Sequence, residues 1–529
     1  MSPPHTEITA ELADSRGATP PEPAPRGRNP YALNGLERGA DGVAHYVGGP
    51  ESLVQMLAES VARDPGAVAL VEIGGRTLTY RELWEQAAVV AGGLREAGLR
   101  RGERAAIRMP NGIDWVLAFF GTHLAGAAVV PVNTRLTDDE ARHVIEHSGS
   151  AYAFTEGAPL PEGRPFADEE MRPSDLAAIF YTSGTTGFPK GAMLTHESFL
   201  ANSENGIRCH HMDRAEGAST STLIAVPLFH VTGCNAQLIP LLDLGGRVEI
   251  LSSPLDFDGF FEAVGEHGVT GIVAVPAIYH LLLRSPRFAE LDVSHVRRVS
   301  YGGAPISAAL VGEIQAAFHD SRVGNGFGLT ECCGVVSYLP HEEAAAHPDS
   351  VGFAAPAVDL AIADADPETG VGELLVRGPN VARGYWNDPQ ATAEAFADGW
   401  LHTGDIGRVG HDGLLYILDR KKDMINRGGE NVYSLEVESV LAGAPGVGEV
   451  AVLPVPDEVM GEKVGAVVVP APGADVDVAS VLAHCEGSLA DYKVPQFIAV
   501  RDAPLPRSSV GKVLKAQLRD ETTWAQSLR

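Results

Sequence analysis

Residues 181–191 read Tyr181-Thr182-Ser183-Gly184-Thr185-Thr186-Gly187-Phe188-Pro189-Lys190-Gly191. Hydroxyls and glycines ending in a lysine let backbone N–H groups, side-chain hydroxyls and one ammonium converge on phosphate oxygens. The stretch is not a Walker A loop, which needs Gly directly before the Lys and Ser or Thr directly after it; Pro189 and Gly191 stand there instead. Any three of these residues would suit a surface turn. The whole run, lying between two apolar strands, reads as a phosphate loop and puts Thr182, Ser183, Gly184, Thr185, Thr186 and Lys190 on a nucleotide.

Outward from this loop, short apolar runs at residues 105–109, 127–132, 222–227, 248–251, 272–275 and 299–301 alternate with helical patterns. Such alternation predicts an α/β chain of helix-covered sheets with parallel strands. Leu53, Val54, Leu57 and Val61 recur at helical spacing before Asp64-Pro65-Gly66 stops the helix, and Thr79 with Glu82 has capping-box spacing ahead of a second one. Residues 115–134 carry no charge, but Gly121, Thr122, His123, Gly126 and Pro131 divide them into a buried helix, a turn and a buried strand, so no membrane span is expected. From residue 372 glycine-punctuated β segments take over. They end at the charged tetrad Asp419-Arg420-Lys421-Lys422, beyond which lies a smaller α+β pattern.

The chain has 529 residues, enough for several domain-sized units, and its 45% hydrophobic content excludes a fibrous or wholly disordered protein. Acidic residues outnumber basic ones 69 to 40, a net charge of −29 that opposes a nucleic-acid partner. The cysteines at 209, 234, 332, 333 and 485 lack paired metal spacing, which fits a reducing, cytoplasmic setting without structural disulfides or zinc. Residues 1–48 are proline-rich, polar and without the apolar core of a secretory signal; they read as a flexible arm.

With the phosphate loop as it stands, the sequence resembles the adenylate-forming superfamily of acyl-CoA synthetases, firefly-type luciferases and peptide-synthetase adenylation domains. It is most similar to a bacterial fatty-acid- or aryl-acid-type CoA ligase. The likeness continues in the family's order through Tyr301-Gly302-Gly303-Ala304-Pro305, Gly326-Phe327-Gly328-Leu329-Thr330-Glu331, Trp400-Leu401-His402-Thr403-Gly404-Asp405, Asp419-Arg420-Lys421-Lys422-Asp423 and Pro506-Arg507-Ser508-Ser509-Val510-Gly511-Lys512. It implies a large adenylating domain at 49–418, a hinge at 419–422 and a small mobile domain at 423–529.

The resemblance also implies roles. Gly302, Gly303, Ala304, Gly326, Phe327 and Gly328 hold adenine; glycines permit close backbone approach to a flat base and Phe327 can stack on it, although Tyr is commoner there. Thr330 meets the α-phosphate and Glu331 the Mg²⁺ of ATP, a hard cation suited to one carboxylate plus phosphate oxygens. Asp405 and Arg420 take the ribose hydroxyls, and Lys422 is the hinge residue. Lys512 bridges the substrate carboxylate and the α-phosphate, where two anions meet. Lys515, one helical turn on, is expected in solvent. His230 shields the acyl pocket, whose lining is expected from Gly233, Cys234, Ala236 and Gly334. These small residues, without Arg or Lys nearby, point to a bulky or long apolar acid. Gly428 and Gly429 present backbone to the coenzyme A channel, although Arg427 precedes them and Ser434 stands where relatives often have Pro. Cys332 and Cys333 read as small buried residues rather than nucleophiles.

The implied reaction uses ATP, Mg²⁺ and coenzyme A on a small-molecule carboxylic acid, through an acyl adenylate with release of pyrophosphate. An acyl-AMP ligase that hands its adenylate to a carrier protein or partner acyltransferase stays open as an alternative. A nucleotide binder without catalysis is disfavoured by the intact Lys190, Glu331, Asp405, Arg420 and Lys512.

Overall fold

In the computed structural model, which describes residues 21–182, 189–253, 256–304, 306–507, 513–524 and 527–528, the first two helices begin at their caps. Ser52 accepts from Gln55 N ahead of Leu53–Arg63, and Thr79 and Glu82 form a reciprocal capping box ahead of Tyr80–Glu96. The uncharged run becomes the helix Ile113–Leu124 and the strand Ala128–Pro131, buried throughout residues 115–132. A helix apolar all round needs cover on every side, and Trp115, Phe119 and Phe120 give it a core rather than a lipid partner. Among the described residues no helix is long and apolar enough to cross a membrane.

A five-stranded sheet orders Tyr152–Thr155, Arg104–Arg108, Ala128–Pro131, Leu176–Thr182 and Lys190–Thr195; the first four run parallel and the last two antiparallel. A 14-stranded sheet carries the remaining apolar runs. Val68–Glu72, Arg247–Ile250, Ser221–Ile224, Gly271–Ala274, Arg298–Gly302 and Arg322–Leu329 pair in parallel, then pairing turns antiparallel through Gly334–Leu339, Gly352–Ala354, Leu414–Arg420, Trp400–Val409, Gly372–Arg377 and Asp359–Ala363. The switch to antiparallel pairing therefore begins at Gly334–Leu339, ahead of the change in pattern seen at residue 372. A smaller sheet of Glu430–Val432, Ile425–Arg427, Gly461–Pro470, Val447–Asp457 and Phe497–Val500 has its own core of Ile425, Val437, Leu441, Val452, Val464 and Val481.

The described part of the arm is not loose. Arg26 donates to the carbonyls of Val358 and Ala355 at 3.0 and 3.2 Å, Arg38 grips Asp359 with two bonds of 2.7 and 2.9 Å, and the Tyr31 and Tyr46 hydroxyls reach Tyr338 O and Asn205 Oδ1 at 2.7 Å each. Residues 21–48 form a strap over the large sheet. Its anchors are arginines and tyrosines seeking buried oxygens, so its lack of an apolar pattern misdescribes it.

Candidate active site

Thr182 and Lys190 face each other across the antiparallel pair that flanks residues 183–188. Ser183, Gly184, Thr185 and Thr186 lie outside the described residues, as does Lys512. Alongside the Lys190 strand runs the segment 382–386: Met193 N donates to Gly384 O at 3.0 Å and Trp386 N to Gly191 O at 2.7 Å. This brings in Tyr385, which the sequence reading missed. Its hydroxyl donates to Glu331 Oε1 at 2.8 Å, and Lys190 Nζ stands 5.2 Å from the centre of its ring. Burial and the adjacent Glu331 carboxylate raise the phenol's pKa, so it stays protonated and remains a donor. The aromatic pair after Gly384 was the available signal.

Glu331 and Thr330, both half-buried, sit in the 3₁₀ turn Thr330–Cys332 that ends the strand Arg322–Leu329. Gly302 pairs with Gly326 in the neighbouring strand, and a Cβ on Gly302 would lie 2.2 Å from Gly326 O. The adjoining strand therefore demands that glycine before any ligand does. Gly303 needs its own for a φ of +75°. Gly303, Ala304 and Gly328 are exposed, while Phe327 is half-buried, packed with Leu329 against the apolar cluster that contains Val336. Cys332 and Cys333 are fully buried, and burial pushes both thiols up, as inert packing residues require.

Asp405 and Arg420 are register partners on adjacent strands, with Nε 2.7 Å from Oδ1; Arg420 Nη1 also donates to Thr403 O at 3.3 Å. The charged tetrad is divided. Asp419 ends up 2% exposed, taking bonds from the Ser434 N–H and hydroxyl, and Lys421 pairs with Glu373 at 2.9 Å, while Lys422 is exposed on the turn that follows. Lys515 is not in solvent either. Its ammonium lies 2.6 Å from Ser434 Oγ and 2.7 Å from Glu438, with its side chain 13% exposed, because the buried Asp419 and the half-buried Glu438 need a cation.

His230 is half-buried and its Nδ1 accepts from Thr232 N at 3.3 Å. The chain then enters a π-helix, Cys234–Leu238, a form concentrated at functional sites. Of the four expected pocket residues, Gly233, Cys234 and Gly334 are buried: a Cβ on Gly233 would meet Pro227 O at 2.4 Å, and one on Gly334 would meet Asn202 Oδ1 at 2.9 Å. Ala236 alone is half-buried, in the same apolar cluster as Phe327 and Leu329. Gly428 and Gly429, with φ of 64° and 95°, form the exposed two-residue turn between Ile425–Arg427 and Glu430–Val432, a conformation that favours glycine at both places.

Comparison with known proteins adds to this geometry. The "AMP-binding enzyme" family model matches residues 57–386, and the "AMP-binding enzyme C-terminal domain" model matches 436–512. A feruloyl-CoA synthase of Amycolatopsis sp is 37% identical over 481 residues, 86% of this chain and 96% of its own. A long-chain-fatty-acid–CoA ligase of Mycobacterium tuberculosis is 36% identical over 505 residues, 88% of this chain and 97% of its own. Among solved structures, o-succinylbenzoate coenzyme A synthetase from Bacillus subtilis in complex with ATP and magnesium ion superposes with a TM-score of 0.78 at 30% identity, covering 88% of this chain and 99% of that one.

Proposed function

The chain belongs to the AMP-binding, adenylate-forming enzymes, and on that premise we propose how its residues divide the work. It is an AMP-forming acid–thiol ligase. A carboxylate attacks the α-phosphorus of magnesium-bound ATP, pyrophosphate leaves, and the thiol of coenzyme A then takes the acyl group and releases AMP.

Lys190 and the hydroxyls of Thr182, Ser183, Thr185 and Thr186 hold the phosphates, with the backbone of Gly184 between them. Gly302, Gly303, Ala304 and the 326–328 strand flank adenine; Asp405 and Arg420 take the ribose. Thr330 reaches the α-phosphate and Glu331 the magnesium. Among the described residues no cluster of three His, Cys, Asp or Glu could hold a metal by itself, which suits an ion that arrives on the triphosphate and takes one protein carboxylate. Lys512 brings the two anions together. His230 and Ala236 face the acyl group, and rotation about Lys422 brings Gly428 and Gly429 to the pantetheine arm. The observation that carries the reading is the meeting of Lys190 and Glu331 on Tyr385, a cation and an acid drawn from distant segments to one ring.

The acid is bulky or long and apolar, since residues 231–236 and 334–337 contain no Arg or Lys to meet a second carboxylate. The test incubates the protein with ATP, coenzyme A and a panel of apolar acids and follows pyrophosphate and thioester separately. Both products are expected. Pyrophosphate without thioester would instead indicate transfer to a carrier protein or partner acyltransferase, and neither product with any acid would remove the assignment of residues.

A further inference from the structure

We infer that Tyr385 is a positioning residue that keeps Glu331 and Lys190 apart and aims the Glu331 carboxylate at the ion of magnesium-bound ATP; this rests on the role given to Glu331 above. A lysine and a glutamate brought into one site tend to collapse into an ion pair. Here no described ion pair joins them. Tyr385 occupies the space between, donating its hydroxyl to Glu331 Oε1 at 2.8 Å and offering its ring face to Lys190 Nζ at 5.2 Å. One bond from a neutral donor fixes the carboxylate without cancelling its charge, and leaves lone pairs on its oxygens for a cation.

The ring is itself held from several sides. Tyr385 is 9% exposed, its N–H donates to Thr392 Oγ1 at 2.9 Å, its backbone bridges Ala192, and Phe396 packs edge-on at 5.5 Å. Gly384 before it has a φ of 139° and would place a Cβ 2.5 Å from Thr392 Cγ2, so the backbone leading to the tyrosine has little freedom. Ala382 N donates to Glu331 O at 2.7 Å, which ties the turn carrying the acid to the same segment. Rigid support of this kind is what preorganises a charged site.

The experiment measures ATP affinity by calorimetry in EDTA and in excess Mg²⁺, with unfolding midpoints as a check on folding. Tyr385→Phe keeps the ring and removes the donor. It is expected to lose about tenfold of the affinity gained on adding Mg²⁺, the size of one hydrogen bond to a charged group, while affinity in EDTA stays as in wild type. Tyr385→Leu removes the spacer as well and should weaken both, because Lys190 is then free to pair with Glu331. Glu331→Gln should abolish the magnesium gain. A full gain in Tyr385→Phe beside a lost gain in Glu331→Gln would overturn the inference, as would equal losses with and without Mg²⁺ in Tyr385→Phe, the signature of a merely structural ring. A full gain in Glu331→Gln would instead overturn the role given to Glu331.

Discussion

The Ser434 hydroxyl donates to Asp419 Oδ1 at 2.9 Å, and the Ser434 N–H donates to the same carboxylate. Asp419 lies in Leu414–Arg420, a strand of the large sheet, and Ser434 opens the helix Ser434–Leu441 of the smaller unit, so the two units are tied by a buried acid next to the turn that joins them.

Lys515 neutralises that tie. Lys515→Met leaves the buried Asp419 and the half-buried Glu438 without their cation and is expected to cost about 3 kcal/mol in urea unfolding. Adding Glu438→Gln should restore part of the loss. A double variant no more stable than Lys515→Met would mean that the pair is not coupled.

Lys422 is exposed in the turn that joins the two units, next to the equally exposed Lys421. Lys422→Pro fixes φ near −65° and should trap one orientation of the small unit, giving near-normal pyrophosphate release with slow thioester formation when the trapped state is the adenylating one. An unchanged ratio of the two rates would make residue 422 a plain surface lysine.

On the assignment proposed above, Lys512 serves the step in which two anions meet. Lys512→Ala should cut adenylate formation about 10²–10³-fold while consumption of supplied acyl adenylate survives. Stopped assays of each half-reaction decide it, and equal damage to both would count against the assignment.

Ala236 is the half-buried member of the pocket set. Ala236→Phe should exclude bulky acids by overlap costing about 1–3 kcal/mol while short acids and ATP still bind. The measurement is kcat/KM for a long or polycyclic acid relative to a short one. A ratio equal to that of wild type would take residue 236 out of the pocket.

The histidines of the core make stability fall in acid. His123 and His196 are fully buried with ring centroids 5.2 Å apart, and burial lowers both, His196 to about 4; Asp175 is the charged group that acts on His196 in the opposite sense. The unfolded chain, with histidine near ~6.5, binds more protons between these values, so stability is present above about 6.5 and is lost as pH falls towards 4. His196 alone should remove about 2 kcal/mol between pH 7.5 and 5. Urea midpoints at those two pH values check it, and His123→Leu should narrow the difference.

Local rules made much of the fold readable. Thr79 and Glu82 are three residues apart, so their capping box could be seen in the sequence, and the helix and strand of residues 115–132 follow from an uncharged run cut by glycines. Lys515 could not be placed, because nothing near it says that Glu438 and Ser434 will face it. Gly302 has a second requirement that the sequence did not show, the close approach of its strand neighbour Gly326. Tyr385 was passed over because its partner Glu331 comes from another element.

The strap has a consequence in time. Arg26 reaches Ala354, 328 residues further on, and Arg28 N donates to Asp412 O. A ribosome that has just delivered residues 21–48 has made none of these acceptors, so the Arg26–Arg28 end of the strap waits outside the nascent core until more than three-quarters of the chain exists. Contacts of such separation are the slow ones to form. That end of the strap is therefore made early and fastened late, a clasp that closes over strands delivered long after it.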